Sequence, residues 1–365
     1  MTGVARAAAL AGALFVGAPL SAAQPSAYGP PPPPPLPDGY ARDARNGELV
    51  VWRPASRGRA SLLVADDEPR LDRLPQADLL QIARARNMTI AFLGSTDVER
   101  LRGEAAKLRG AGRLLGVAWG SQAAALLALS KGARLFDALM LIDAQPIDPG
   151  DAAPVIVEFY GSDAFWRAAA PPPAAATPRP GRRRYFLAGA VLSARAEAPC
   201  AGAANDRSAD PALRALLVAL EDRLNGGPAL PASREAELAP KESLRWPKLP
   251  GADAPPPGDS AAPRIDSDGN ETSGLRLPDQ ALPLATFTGW NAAKGCGVGQ
   301  RFDFAPSRAA REAAGDPRPS LVERYGSRAY FVAALRSVAD RLVKERLLLP
   351  QDADAYVAAG KKAPF

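Results

Sequence analysis

The chain has 365 residues, with 45 Lys plus Arg against 39 Asp plus Glu for a net charge of +6, 47% hydrophobic residues, two cysteines and no histidine. The missing imidazole excludes a Ser-His-Asp or Cys-His triad, a His-ligated metal, and any acid or base that titrates near neutrality without a strongly shifted pKa. Its apolar content is ample for a buried core and excludes a wholly disordered chain, while 38 Pro and 32 Gly, well above their usual share of roughly 12%, call for long loops.

Residues 1–23 carry one positive charge at Arg6, an apolar run over 7–20, and then Ser21, Ala22 and Ala23. This is the pattern of a secretory signal peptide; the run is too short and Ala-rich to span a bilayer. The expected location is periplasmic or extracellular, an oxidising setting in which Cys200 and Cys296 could form a disulfide. Sequence leaves that pairing open, because it does not bring two Cα atoms within bridging distance. Two distant cysteines without histidine make no metal site. Residues 24–39, with six consecutive prolines at 30–35, read as an extended spacer. Residues 40–365 read as one domain, with a core at about 45–200 and a carboxyl-terminal extension at about 201–365, broken by proline-rich stretches at 171–180 and 250–263. No later segment reaches membrane-spanning length. The densest basic run, Arg182, Arg183 and Arg184, reads as a solvated loop; no aromatic residues interleave with it as a nucleic-acid platform requires.

From residue 88 the chain alternates short apolar runs with helical patterns. The runs are 88–94, 114–119, 138–142, 154–160 and 184–189; helical stretches at 95–110 and 121–131 follow the first two. Strands buried on both faces and separated by helices predict a mostly parallel sheet of the α/β class with flanking helices. Earlier runs at 48–52 and 61–64 predict further strands on one side. Downstream, Leu213, Leu216, Leu217, Leu220 and Leu224 predict an amphipathic helix opened by Asp210-Pro211 and closed by Gly226. Ser320 and Glu323 form a capping box, and Phe331, Leu335, Val338 and Leu342 make another apolar stripe.

In such sheets chemistry sits beyond the carboxyl ends of the strands. After the run 114–119 comes Gly120-Ser121-Gln122, which reads either as a nucleophile elbow, with Ser121 exposed and the Gln122 amide serving an oxyanion hole, or as a helix start capped by Ser121. Nucleophile-elbow enzymes follow the chain order Ser, acid, His. The run 154–160 leads to Asp163 in the place of the acid. After the run 184–189, where the base belongs, stands Leu192. Lys131 lies about 15 Å along the helix from Ser121, too far for a Ser-Lys dyad. Asp266, Asp268 and Asn270 echo a calcium loop, but Glu271 stands where its Gly belongs and Leu277 where its bidentate Glu belongs, so the segment reads as a turn. The phrase 286–291 reads as a structural cap over the sheet.

Several phrases together carry a family resemblance: Ser121-Gln122, ARLFD at 133–137 and PVIVEFYGSD at 154–163, then IDSDGNE at 265–271, GLRLP at 274–278, PLATFTGWN at 283–291, GCG at 295–297, GDPRPS at 315–320 and ERY at 323–325. The chain resembles the exported bacterial alpha/beta hydrolase domain-containing proteins over most of its length after about residue 110. The resemblance implies an α/β-hydrolase fold, Ser121 as nucleophile, Gln122 as oxyanion donor, Asp163 as acid, and Leu192 at the position of the family's histidine. It implies no cofactor and a small ester or amide as ligand. Loss of one triad member costs roughly 10⁴ to 10⁶ in turnover, so the expectation is a degenerate hydrolase, against a working hydrolase with another base or a structural protein of the envelope.

Overall fold

Every apolar run enters one eight-stranded sheet, because a strand covered on both faces needs no polar alternation. The computed structural model of the chain describes residues 40–45, 49–54, 60–65, 82–93, 98–109, 112–120, 122–130, 134–144, 153–167, 180–192, 199–250, 255, 260–293, 296 and 298–364. Residues 1–23 and 24–39, read above as leader and spacer, Ser121, Lys131 and most of the stretches 171–180 and 250–263 lie outside the described residues. The strands are β1 Tyr40–Arg45, β2 Leu49–Pro54, β3 Ala60–Ala65, β4 Thr89–Leu93, β5 Arg113–Trp119, β6 Ala138–Ile142, β7 Val155–Gly161 and β8 Arg182–Leu187, in the spatial order β1-β2-β4-β3-β5-β6-β7-β8. The first two strands join antiparallel, and the other six are parallel to one another. β1 has no apolar run and no counterpart in the sequence reading; as an edge strand of sequence YARDAR it keeps the charges that blunt an open sheet edge.

Within each strand successive side chains point to opposite faces, and both faces are sealed. One face presents Leu62, Val64, Leu115, Val117, Met140, Ile142, Val157 and Phe159. Leu213, Leu216, Leu217 and Leu220 of the helix Asp210–Leu224 close over it, together with Phe331, Leu335, Ala339 and Leu342 of the helix Arg328–Lys344 and Tyr356 of the helix Pro350–Gly360. The stripe on Arg328–Lys344 thus buries Ala339 where the sequence pattern had Val338, which is only partly buried. The opposite face presents Leu63, Ala65, Leu114, Leu139, Leu141 and Ile156. Ala105 and Leu108 of the helix Val98–Arg109, with Ala123, Leu126 and Leu127 of the helix Gln122–Ser130, close over that one. At roughly 1.5–3 kcal/mol for each large side chain fully buried, these two layers supply most of the gross stabilisation. Among the described residues no helix is long and apolar enough to cross a membrane.

The run Arg182, Arg183 and Arg184 is not a solvated loop; it begins β8. Glu158 on β7 pairs in register with Arg184 and takes hydrogen bonds from Arg182 Nε at 2.5 Å and Nη2 at 2.9 Å, and from the buried Arg184 at 3.4 Å. A carboxylate on the neighbouring strand offsets the desolvation of the guanidinium groups.

The carboxyl-terminal third also builds a small sheet from β9 Ala203–Ala204, β10 Ala285–Phe287 and β11 Gln300–Asp303, with β11 in the middle. Buried Arg318 fastens it: paired with Asp316 Oδ2 at 2.7 Å, it donates to Thr286 Oγ1 at 2.8 Å, to the Phe302 carbonyl at 2.9 Å and to the Asp303 carbonyl at 3.0 Å. Ser320 and Glu323 form the reciprocal capping box that opens the next helix, Leu321–Tyr325. The 266–270 segment is a turn in which Asp266 Oδ1 accepts the Asp268 and Asn270 amides, each at 2.9 Å.

Candidate active site at the carboxyl edge of the sheet

The turns that follow β7 and β8 lie side by side, because those strands are hydrogen-bonded neighbours. Asp163, two residues past the end of β7, is fully buried, and its Oδ1 accepts the Leu192 backbone N–H at 3.1 Å. A Cβ added at Gly161 would meet Asp163 Oδ1 at 2.6 Å and Leu192 Cγ at 2.8 Å. The carboxylate and the leucine side chain therefore flank the same glycine. The Ser162 amide donates to the Ala190 carbonyl at 2.7 Å, which holds the two turns together through the backbone. Asp163 and Leu192, the residues that the sequence reading set in the places of acid and base, are thus brought together.

The sequence reading missed the group that joins these turns. Glu271, fully enclosed, accepts the Ser162 hydroxyl on Oε1 at 2.5 Å and the Gly189 amide on Oε2 at 2.5 Å. Burial pushes its carboxyl up to about 7; the Asp163 charge adds to the shift, while the Ser162 and Gly189 bonds and the Arg207 guanidinium oppose it. Arg207 itself donates to Asp279 Oδ1 at 2.6 Å and to the side-chain Oε1 of Gln280. Asn205 Nδ2 donates to the Gly189 carbonyl at 2.7 Å and to the Thr288 carbonyl at 3.0 Å. In the sequence Glu271 showed itself only as the end of the IDSDGNE phrase and as the residue that spoils a calcium loop.

On the other side of the edge, β5 runs into a turn at Gly120, whose φ of +48° suits a residue without Cβ. The Gly120 amide donates to the Ile142 carbonyl of β6 at 2.9 Å. Gln122 opens the helix Gln122–Ser130. This is the strand, sharp turn and helix context that a nucleophile elbow requires; Ser121 itself is outside the described residues.

The phrase 286–291 caps the acid turn. Thr286, Thr288, Trp290 and Asn291 are all buried, and Gly289 lies so close that an added Cβ would stand 2.5 Å from Ser162 C and 2.7 Å from Asp163 N. Trp290 packs edge-on against Trp246, centroids 5.3 Å apart, and Trp166 joins them at 5.9 and 6.2 Å. The Cys200–Cys296 disulfide is formed, with Cα atoms 5.1 Å apart. Beside it Asn291 exchanges two hydrogen bonds with the Ala201 backbone, at 3.0 and 3.2 Å. Among the described residues no group of three or more carboxylate or thiol ligands could hold a metal.

Residues 168–358, more than half of the chain, match the model of a family described as alpha/beta hydrolase domain. The matched segment begins just beyond the acid turn and includes Leu192, both cysteines, Glu271 and the cap. Among solved structures, the chain is similar to Est1E from Butyrivibrio proteoclasticus at 8% identity and a TM-score of 0.27, over 34% of this chain and 78% of that one. It is also similar to a sugar hydrolase, YeeB, from Lactococcus lactis at 6% identity and a TM-score of 0.27, over 34% and 71%. No curated protein matches the chain.

Proposed function

Because the chain belongs to the alpha/beta hydrolase domain family, we propose that it is an exported relative of the serine hydrolases that keeps the acid of a triad and has lost the base. Small esters or amides are its ligand class. Ser121 is the former nucleophile, the Gln122 amide an oxyanion donor, Asp163 the acid, and Leu192 the residue at the base position. One observation carries the reading: the Leu192 N–H rests on Asp163 Oδ1 at 3.1 Å, so acid and base positions remain adjacent in a chain without histidine. A serine hydroxyl without an imidazole partner keeps only what the oxyanion donors and binding provide, some 10⁴ to 10⁶ below a complete triad.

The test restores the base. Leu192→His is expected to raise aryl-ester turnover by at least ~10²-fold over the wild type, a small part of the triad's worth, and Ser121→Ala in that background is expected to abolish the gain. Robust Ser121-dependent labelling of the wild type by a fluorophosphonate would overturn the proposal in favour of a working hydrolase. A folded Leu192→His protein without any gain would also overturn it, because the site would then not be the remnant of a triad.

A further inference from the structure

We infer that Glu271 is the positioning residue of this site: by bridging Ser162 and Gly189 it holds the Asp163 carboxylate against the Leu192 amide. The inference rests on reading Asp163 and Leu192 as the acid and vacant base positions. Ser162 directly precedes Asp163, and Gly189 lies three residues before Leu192, so each oxygen of Glu271 is committed to one of the two turns. Glu271 is 109 residues from Ser162 and 82 from Gly189 along the chain. The bridge is therefore a tertiary device and not a local turn.

The charged groups facing it are Asp163, from the turn after β7, and Arg207, from the segment before the helix Asp210–Leu224. Arg207 shares its charge with Asp279. Burial raises the Glu271 carboxyl and the Asp163 charge adds a little, while the Ser162 and Gly189 bonds and the Arg207 guanidinium oppose the shift, which brings it to about 7. The chemistry of each state follows from the donor inventory. Ionised, both Glu271 oxygens accept. Protonated, one oxygen still accepts the Gly189 amide, but the other becomes a donor and the Ser162 hydroxyl must turn from donor to acceptor. The bridge survives the proton, while the hydrogen-bond direction next to Asp163 reverses.

The experiment follows the Gly189 and Leu192 amides by NMR in the full chain, labelled with [15N]Gly and [15N]Leu, from pH 5 to 9. In the wild type both signals are expected to move together with a midpoint near neutrality, in keeping with a carboxyl pushed up by burial to about 7. Glu271→Gln is expected to flatten the titration yet keep the Leu192 amide slow to exchange, since the amide side chain can accept from Gly189 and donate to Ser162. Glu271→Ala is expected to speed Leu192 exchange ~10-fold, the worth of about one hydrogen bond. Should that variant fail to fold, Ser162→Ala removes one arm and is expected to speed exchange ~3-fold. Flat wild-type signals, a titration that persists in Glu271→Gln, or unchanged exchange in the truncated variants would overturn the inference. No readout depends on turnover, so failure here leaves the restored-base test untouched, and an inactive Leu192→His protein leaves this one untouched.

Discussion

The two corners of the sheet's carboxyl edge are built on different principles. The corner after β5 is local: Gly120 turns the chain, its amide rests on the adjacent strand at Ile142, and the helix Gln122–Ser130 follows at once. Among the described residues none comes within 4 Å of where a Gly120 side chain would start. The corner after β7 and β8 is assembled from the far end of the chain, by Glu271, Gly289, Asn205 and the loop tied by Cys200–Cys296. The geometry at Asp163 is consequently a property of the whole fold, whereas the corner after β5 needs its own strand, turn and helix. Perturbations of equal size should therefore have unequal costs at the two corners.

Opening the disulfide strikes the non-local corner hardest. It closes a loop of 96 residues, and in the chain-entropy model its loss costs about 4.7 kcal/mol, measurable by urea denaturation of Cys200→Ala/Cys296→Ala against the wild type. Next comes Gly289→Ala. Its methyl would press on the backbone of Ser162 and Asp163, atoms that cannot rotate away, and a loss of about 3 kcal/mol is expected in the same assay. An unchanged midpoint there would show that the cap does not bear on the acid turn.

The pH dependence comes third. Burial raises the Glu271 carboxyl from its ordinary 4.5 to about 7 in the fold. Between those values the folded chain binds the extra proton, so stability from this group is fully present below pH 4.5 and is lost as pH rises to 7. The loss approaches about 3 kcal/mol at 1.36 kcal/mol per unit. The difference in stability between wild type and Glu271→Gln should carry that slope, and a difference independent of pH would remove Glu271 from the titration. The smallest effect belongs to the local corner. Gly120→Ala meets no neighbour among the described residues and suffers the left-handed backbone at φ +48°, about 1 kcal/mol; a loss as large as that of Gly289→Ala would erase the contrast between the corners.

Much of the scaffold was legible because a doubly covered parallel sheet writes itself as continuous apolar runs. Asp163 and Leu192 could be singled out for the same reason, since counting strands tells which turn follows which. The charged edge strand β1 escaped because the same rule has no purchase on a strand such as YARDAR. The Arg182, Arg183 and Arg184 run was misread because its countercharge, Glu158, lies on the neighbouring strand 24 residues away from Arg182. Glu271 was visible only as the end of the IDSDGNE phrase and as a residue spoiling a calcium loop, since nothing near it in sequence announces that it will be buried.

The sequence by itself determined the fold class, the absence of any imidazole and the order of the turns along the sheet edge, because these follow from short-range periodicity and from composition. Tertiary structure alone decided that Asp163 meets the Leu192 amide and that Glu271 joins their two turns. It also closed the bond between Cys200 and Cys296. Those contacts join residues 29 to 109 positions apart, and burial then sets the protonation of Glu271 by stripping its carboxyl of water.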